Sequence, residues 1–210
     1  IIITSMKKDF SGGMDLKMLS KFESSKENSP SSQIYDLVMR LHRMLRKLEL
    51  ANMDPKTKKG GKPVVWACPG ISAGIGTEIG LACHHRLVAD TERAKVGLPE
   101  IMVGLFPGGG GTTRLVRMLG LMASAPLLFE GKLMKPNIAK IAGLVDELVN
   151  PDELLVRAKV WILEATEIDI IKPWDSKNYK MPGGFPYHPT GFMTFAGASA
   201  MIKSKSKGVY

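Results

Sequence analysis

The sequence predicts an α/β protein built on a parallel sheet, and three observations carry that prediction. Pro63-Val64-Val65-Trp66-Ala67-Cys68 is an unbroken apolar run, the pattern of a strand buried on both faces. It leads directly into a glycine turn, Gly70 to Gly76, after which Ile79 to Cys83 is apolar and helix-compatible, so strand, turn and helix follow one another. Downstream, short strand patterns alternate with helical ones as far as Glu164.

Taken in order, the chain opens on Ile1-Ile2-Ile3-Thr4, a β-branched run that reads as a core strand with no preceding element to pair with. Asp9 to Leu16 holds the glycine turn Gly12-Gly13, followed by a short helical pattern to about Leu19. Ser20 to Ser32 is polar, contains Pro30, and reads as a mobile loop. From Ile34 to Leu50, apolar residues at Ile34, Leu37, Val38, Leu41, Met44, Leu45 and Leu48 predict a helix with one buried stripe. Arg40, Arg43, Arg46 and Lys47 lie off that stripe and read as its solvated face. Asn52 to Gly61 is a loop. Arg86 to Ala89 and Ala94 to Val96 are strand candidates, and Leu144 to Asp146 is another. Helices are expected at Thr112 to Leu119, Ala123 to Phe129, Pro136 to Ala142 and Asp152 to Glu164. Past these, periodicity is lost among Pro173, Pro182, Pro186 and Pro189.

Composition narrows the function classes. With 210 residues, 44% hydrophobic and 23% charged, the chain is neither wholly disordered nor collagen-like. The net charge of +9 suits any anionic partner, but the lysines sit in loops without interleaved aromatics, so no nucleic-acid partner is expected. Cys68 and Cys83 have neither disulfide-framework nor zinc spacing, which points to two buried thiols, a reducing compartment and a cytoplasmic location. No apolar stretch is long enough for a membrane span. The chain starts with Ile1 rather than Met and stops in a lysine-rich run, so both ends read as cut from a longer protein.

The glycines need a purpose. Gly70 to Gly76 is spaced G-x-x-x-G-x-G, which fits neither a dinucleotide fingerprint nor a P-loop. A strand entering a glycine turn and a helix start can instead aim a backbone N–H at a developing negative charge. Glu78, among Ile75, Ile79, Leu81 and Ala82, and Glu100, between Leu98-Pro99 and Ile101, are carboxylates in apolar surroundings that could divide acid and base roles. Spacing alone leaves open whether they meet. Ser72 in G-I-S-A-G only superficially resembles a nucleophile elbow, and His84-His85 lacks a third residue spaced to complete a metal site.

Four ordered segments resemble the crotonase superfamily of enoyl-CoA hydratases and isomerases: DFSGGMDL, KPVVWACPGISAGIGTEIGLACHHRLVAD, GLPEIMVGLFPGGGGTTRLVRMLG and EGKLMKPNIAKIAGLVDELV. The resemblance implies a spiral of ββα units with a helical C-terminal part and with the first N-terminal strands missing. Residues 1–165 would be the hydratase domain. Residues 166–210 are similar to the connector that precedes the 3-hydroxyacyl-CoA dehydrogenase part of bacterial multifunctional fatty-acid oxidation proteins. Carried over by position, Glu78 and Glu100 are the catalytic carboxylates, while the backbone N–H groups of Gly12 and Ile75 form the oxyanion hole. Ser11, Gly13, Met14, Asp15, Leu16, Gly74 and Gly108 line the acyl-CoA substrate. Gly12 and Ile75 stand where the common pattern has Ala and Gly, and a β-branched Ile cannot adopt glycine-only torsions. The implied reaction adds water to a trans-2-enoyl-CoA, with an isomerase or a non-catalytic or RNA-binding relative as alternatives. The resemblance implies no cofactor for these residues, with NAD expected only for a missing dehydrogenase part, and a homo-oligomer or a partner subunit of a fatty-acid oxidation complex.

Overall fold

The structure is a computed structural model that describes residues 1–17 and 29–205. The larger sheet contains β1 (Ile2–Thr4), β2 (Val65–Cys68), β4 (His85–Ala89) and β6 (Glu147–Val149), all parallel, in the order β1-β2-β4-β6. A smaller parallel sheet pairs β3 (Ile71–Ala73) with β5 (Lys95–Gly97).

Parallel neighbours need a crossover, and the crossovers here share one form. β2 in the large sheet passes to β3 in the small one and then to α2 (Ile75–Ala82); β4, β5 and α3 (Gly111–Leu119) repeat the path. The first turn runs from β1 through a parallel bridge of Ser11 with Ser72 to α1 (Pro30–Leu50). The result is the expected spiral of ββα units. Ile1 to Thr4 pairs not with a preceding element but with β2, Ile3 opposite Trp66.

The apolar run Pro63 to Cys68 is explained by burial on both faces. Val64, Trp66 and Cys68 join Leu81, Val88, Leu98, Leu115 and Leu127 in the main core. Val65 and Ala67, pointing the other way, pack with Leu87, Ala89 and Val149 beneath α6 (Leu154–Glu164) through Leu154 and Ala158. Full burial stabilises such side chains by about 1.5–3 kcal/mol each. α2 comes close to β2 because Gly80 has no side chain: a Cβ there would lie 2.6 Å from the Trp66 ring.

Several expectations shift. α1 starts at Pro30, inside the expected loop, because Ser29 caps it by accepting from the Ser32 N–H and Pro30 is preorganised for the first turn. The remainder of that loop and the end of the helical pattern at Leu19 lie outside the described residues. Arg46 is not on a solvated face: it pairs with Glu49 at 2.7 Å and with Asp175 at 2.7 Å. The strand expected at Leu144 to Asp146 begins at Glu147, because Leu144 and Val145 turn into the core and Asp146 is held by the Arg86 guanidinium at 2.6 Å. The glycine turn hides β3.

α4 (Leu121–Phe129) packs on α3, and α5 (Pro136–Ile141) leads to β6. The aperiodic C-terminal stretch contains α7 (Pro189–Lys205), packed on α4. Residues 166–205 lie against the body: buried Lys172 donates to the Leu81 and Cys83 carbonyls at the end of α2, and Tyr179 Oη donates to the Arg117 carbonyl at 2.7 Å. No helix of the described residues is long and apolar enough to cross a membrane.

Candidate active site

The site begins where the first turn of the spiral meets the second. Asp9 accepts from the Ile71 N–H at 3.0 Å, Phe10 N–H donates to the Ile71 carbonyl at 2.9 Å, and Ala73 N–H donates to the Ser11 carbonyl at 2.9 Å. This ladder delivers Gly12-Gly13 beside Gly74. Gly13 (φ +105°) and Gly74 (φ +56°) both need left-handed torsions, and a Cβ on Gly74 would stand 3.6 Å from the Gly13 Cα. Gly12 and Ile75 are therefore each one residue from the crossing. Ser11 Oγ accepts from Gly13 N–H at 3.1 Å, while Asp15 and Leu16 are exposed and Met14 is half-buried.

Ile75 is the first residue of α2, where its N–H has no intrahelical acceptor and lies at the positive end of the helix dipole. The β-branched residue is compatible with the turn because Gly74, not Ile75, carries the positive φ.

Glu78 sits on the first turn of α2, 2% exposed, and turns its carboxylate onto the glycine loop before α3. Its Oε1 accepts from Gly111 N–H at 2.7 Å and its Oε2 from Gly109 N–H at 3.0 Å. The loop admits no side chains there, since a Cβ would stand 2.6 Å from Oε2 at Gly109 and 2.9 Å from Oε1 at Gly111. Burial pushes the Glu78 carboxyl above its ordinary range, opposed by the two amides and by the charges of Arg114 and His42.

Glu100 opens a 3₁₀ turn, Glu100–Val103, just after β5. Its Oε1 lies 3.0 Å from where a Gly74 Cβ would be, placing the carboxyl over the head of α2. Oε2 is buried and has no hydrogen-bond partner among the described residues. Burial, with the Glu78 charge adding to it, raises this carboxyl to about 7. The fold thus brings both glutamates to the head of α2, beside the Gly13–Gly74 crossing.

Sequence reasoning missed His42, Glu49 and Arg114. His42 Nε2 is 2.7 Å from the Gly108 carbonyl, Arg114 Nη1 donates to the Gly109 carbonyl at 2.8 Å, and Arg114 Nε meets Glu49 at 2.8 Å. For His42 and Glu49 the available signal was their place on α1, where His42, Leu45 and Glu49 share one face at i, i+3, i+7. The neighbouring His84 is structural: Nδ1 accepts from Val64 N–H at 2.9 Å and Nε2 donates to the Glu49 carbonyl at 2.9 Å. Burial lowers it to about 4. Ser72 is fully buried within β3 and not on an exposed elbow.

Comparison with known proteins finds relatives of this chain in sequence and in fold. The enoyl-CoA hydratase/isomerase family model matches residues 1–171. The chain is 33% identical over 174 residues to the glyoxysomal fatty acid beta-oxidation multifunctional protein MFP-a of Cucumis sativus, covering 83% of this chain and 22% of that protein. It is 31% identical over 210 residues to the fatty acid oxidation complex subunit alpha of Shewanella loihica, covering 100% of this chain and 27% of that protein. It therefore spans about a quarter of the length of these relatives. Among solved structures, an enoyl-CoA hydratase from Bacillus anthracis superposes with a TM-score of 0.63 at 30% identity, over 78% of this chain and 57% of that one. One from Thermoplasma volcanium gives 0.65 at 26% identity, over 79% and 60%. A ββα spiral, two glutamates with their carboxyls near the head of one helix and a family model covering most of the chain lead to one conclusion: this protein belongs to the enoyl-CoA hydratase/isomerase, or crotonase, family.

Proposed function

We propose that this chain is the hydratase segment of a multifunctional fatty-acid β-oxidation protein and adds water across the 2,3 double bond of a trans-2-enoyl-CoA. The observation that carries the reading is the pairing of Glu78 and Glu100 in two different environments. Glu78, held by two amides and near Arg114, is suited to be the ionised base that takes a proton from water. Glu100, half-buried, with a buried Oε2 that has no hydrogen-bond partner among the described residues, and facing that negative charge, is suited to keep a proton for delivery to the α-carbon. Water oxygen bonds to the β-carbon as the double bond breaks, and the proton from Glu100 ends on the α-carbon. The N–H groups of Gly12 and Ile75 would hold the thioester oxygen as it gains charge. Ser11, Gly13, Met14, Asp15, Leu16, Gly74 and Gly108 would line the bound acyl-CoA. The reaction balances with water, thioester and two carboxyl groups, and calls on no cofactor from these residues.

Support for the wider setting comes from the names of the relatives. On this reading, residues 1–165 form the hydratase domain, residues 166–210 connect it to an NAD-dependent dehydrogenase part, and the whole acts in the cytoplasm beside another subunit of a fatty-acid oxidation complex.

The test follows loss of crotonyl-CoA absorbance. Glu78→Gln and Glu100→Gln each lower turnover by about 10²–10⁴ while leaving CoA-thioester binding in place. Unchanged rates in both variants overturn the assignment, and conversion of a 3-enoyl-CoA without water addition favours an isomerase.

A further inference from the structure

We propose that His42 is a positioning residue that orients the glycine loop onto Glu78, an inference that rests on the catalytic reading of Glu78. The loop from Gly108 to Gly111 has four consecutive glycines, so its own torsions select no single conformation. Yet Glu78 requires the Gly109 and Gly111 N–H groups at 3.0 and 2.7 Å. Something outside the loop must choose the orientation.

The peptide between Gly108 and Gly109 shows what does. It is planar, with its carbonyl and N–H pointing in opposite directions. The N–H end goes to Glu78 and the carbonyl end to His42 Nε2 at 2.7 Å. A carbonyl only accepts, so Nε2 carries the hydrogen. The next carbonyl, that of Gly109, accepts from Arg114 Nη1 at 2.8 Å, so two consecutive carbonyls of the loop are each held by a side-chain donor. α1 supplies both constraints. His42 acts directly, while Glu49, seven residues on, fixes Arg114 through its Nε at 2.8 Å, with Arg46 bonded to Glu49 at 2.7 Å and to Asp175 at 2.7 Å. Between them Leu45, fully buried, anchors the helix face in the core. Arg114 belongs to a buried ion pair whose removal threatens folding. His42 is half-buried and bonds a neutral carbonyl rather than a buried charge, so it can be varied separately.

The experiment compares the 210-residue chain with His42→Leu, which removes the donor, and His42→Gln, whose amide nitrogen reaches a similar position. Carboxyl carbon NMR of ¹³C-labelled glutamate, with the Glu78 signal identified through Glu78→Gln, reads the carboxyl directly. In His42→Leu the Glu78 carboxyl titrates at higher pH than in wild type, and kcat for crotonyl-CoA falls about tenfold to hundredfold with little change in KM. His42→Gln restores both toward wild type. An unmoved Glu78 titration in His42→Leu overturns the proposal whatever turnover does, and so does a Gln variant that behaves like Leu. If Glu78→Gln keeps full turnover, the catalytic reading fails, while the titration still decides whether His42 orients the loop.

Discussion

Glu49 and Arg114 form a buried ion pair, Oε1 to Nε 2.8 Å, with side chains 3% and 9% exposed. It ties α1 to α3 and, through Arg46, reaches Asp175 in the C-terminal stretch. Three segments remote in sequence thereby converge behind the loop that holds Glu78. Desolvating such a pair costs much of what attraction returns, so its value lies in fixing geometry.

Breaking this pair from one side leaves a buried charge. Glu49→Leu or Arg114→Met is expected to destabilise the protein by about 3–5 kcal/mol, with the double variant Glu49→Leu/Arg114→Met recovering a substantial part. Urea unfolding of the four proteins in the cycle checks this, and additive losses contradict it.

Glu100 makes stability depend on pH. Its folded carboxyl is raised from 4.5 to about 7, so the folded state holds the proton more tightly than the unfolded one. The contribution of Glu100 to stability is therefore fully present below the unfolded value and is lost as pH rises through that window, levelling above about 7. Glu100→Gln flattens this decline in thermal melts taken across the range, and if Glu100 is the proton donor, wild-type turnover falls as pH rises through about 7.

Lys172 gives the opposite slope. Burial lowers its ammonium from 10.5 to about 7, so its contribution is present at high pH and is lost as pH falls between those values. Lys172→Met removes that gain and leaves the Leu81 and Cys83 carbonyls without their donor, a loss of about 1–3 kcal/mol at pH near 9 by denaturant titration.

Two glycine substitutions separate packing from helix propensity. Gly80→Ala places a methyl group 2.6 Å from the Trp66 ring and is expected to cost about 1–3 kcal/mol. Gly197→Ala, in α7 with nothing within 4 Å, is expected to be stabilising by about 0.5–1 kcal/mol. Calorimetry showing equal effects would contradict the close contact of α2 with β2.

Much of the architecture was legible. The run through Trp66 announced a strand buried on both faces, and the apolar neighbours of Glu78 and Glu100 marked them as perturbed carboxyls before either was located. Local patterns misled where a long-range partner intervened. Leu144 and Val145 have strand character but turn into the core, where Arg86 takes Asp146, and Ile71 to Ala73 is a strand because Ser11 and β5 pair with it. Arg46 reads as solvated until Asp175, far along the chain, arrives beside it.

By itself the sequence determined the alternation of elements, the two acidic positions and the glycine turns, because these depend on neighbours a few residues away. Tertiary structure alone decided that Glu78 would receive two amides and that Glu100 would hold a buried oxygen with no partner among the described residues. The physical reason lies in the glycine loop. A backbone free to take many torsions acquires its one orientation only from groups such as His42 and Arg114, which folding brings to its far side.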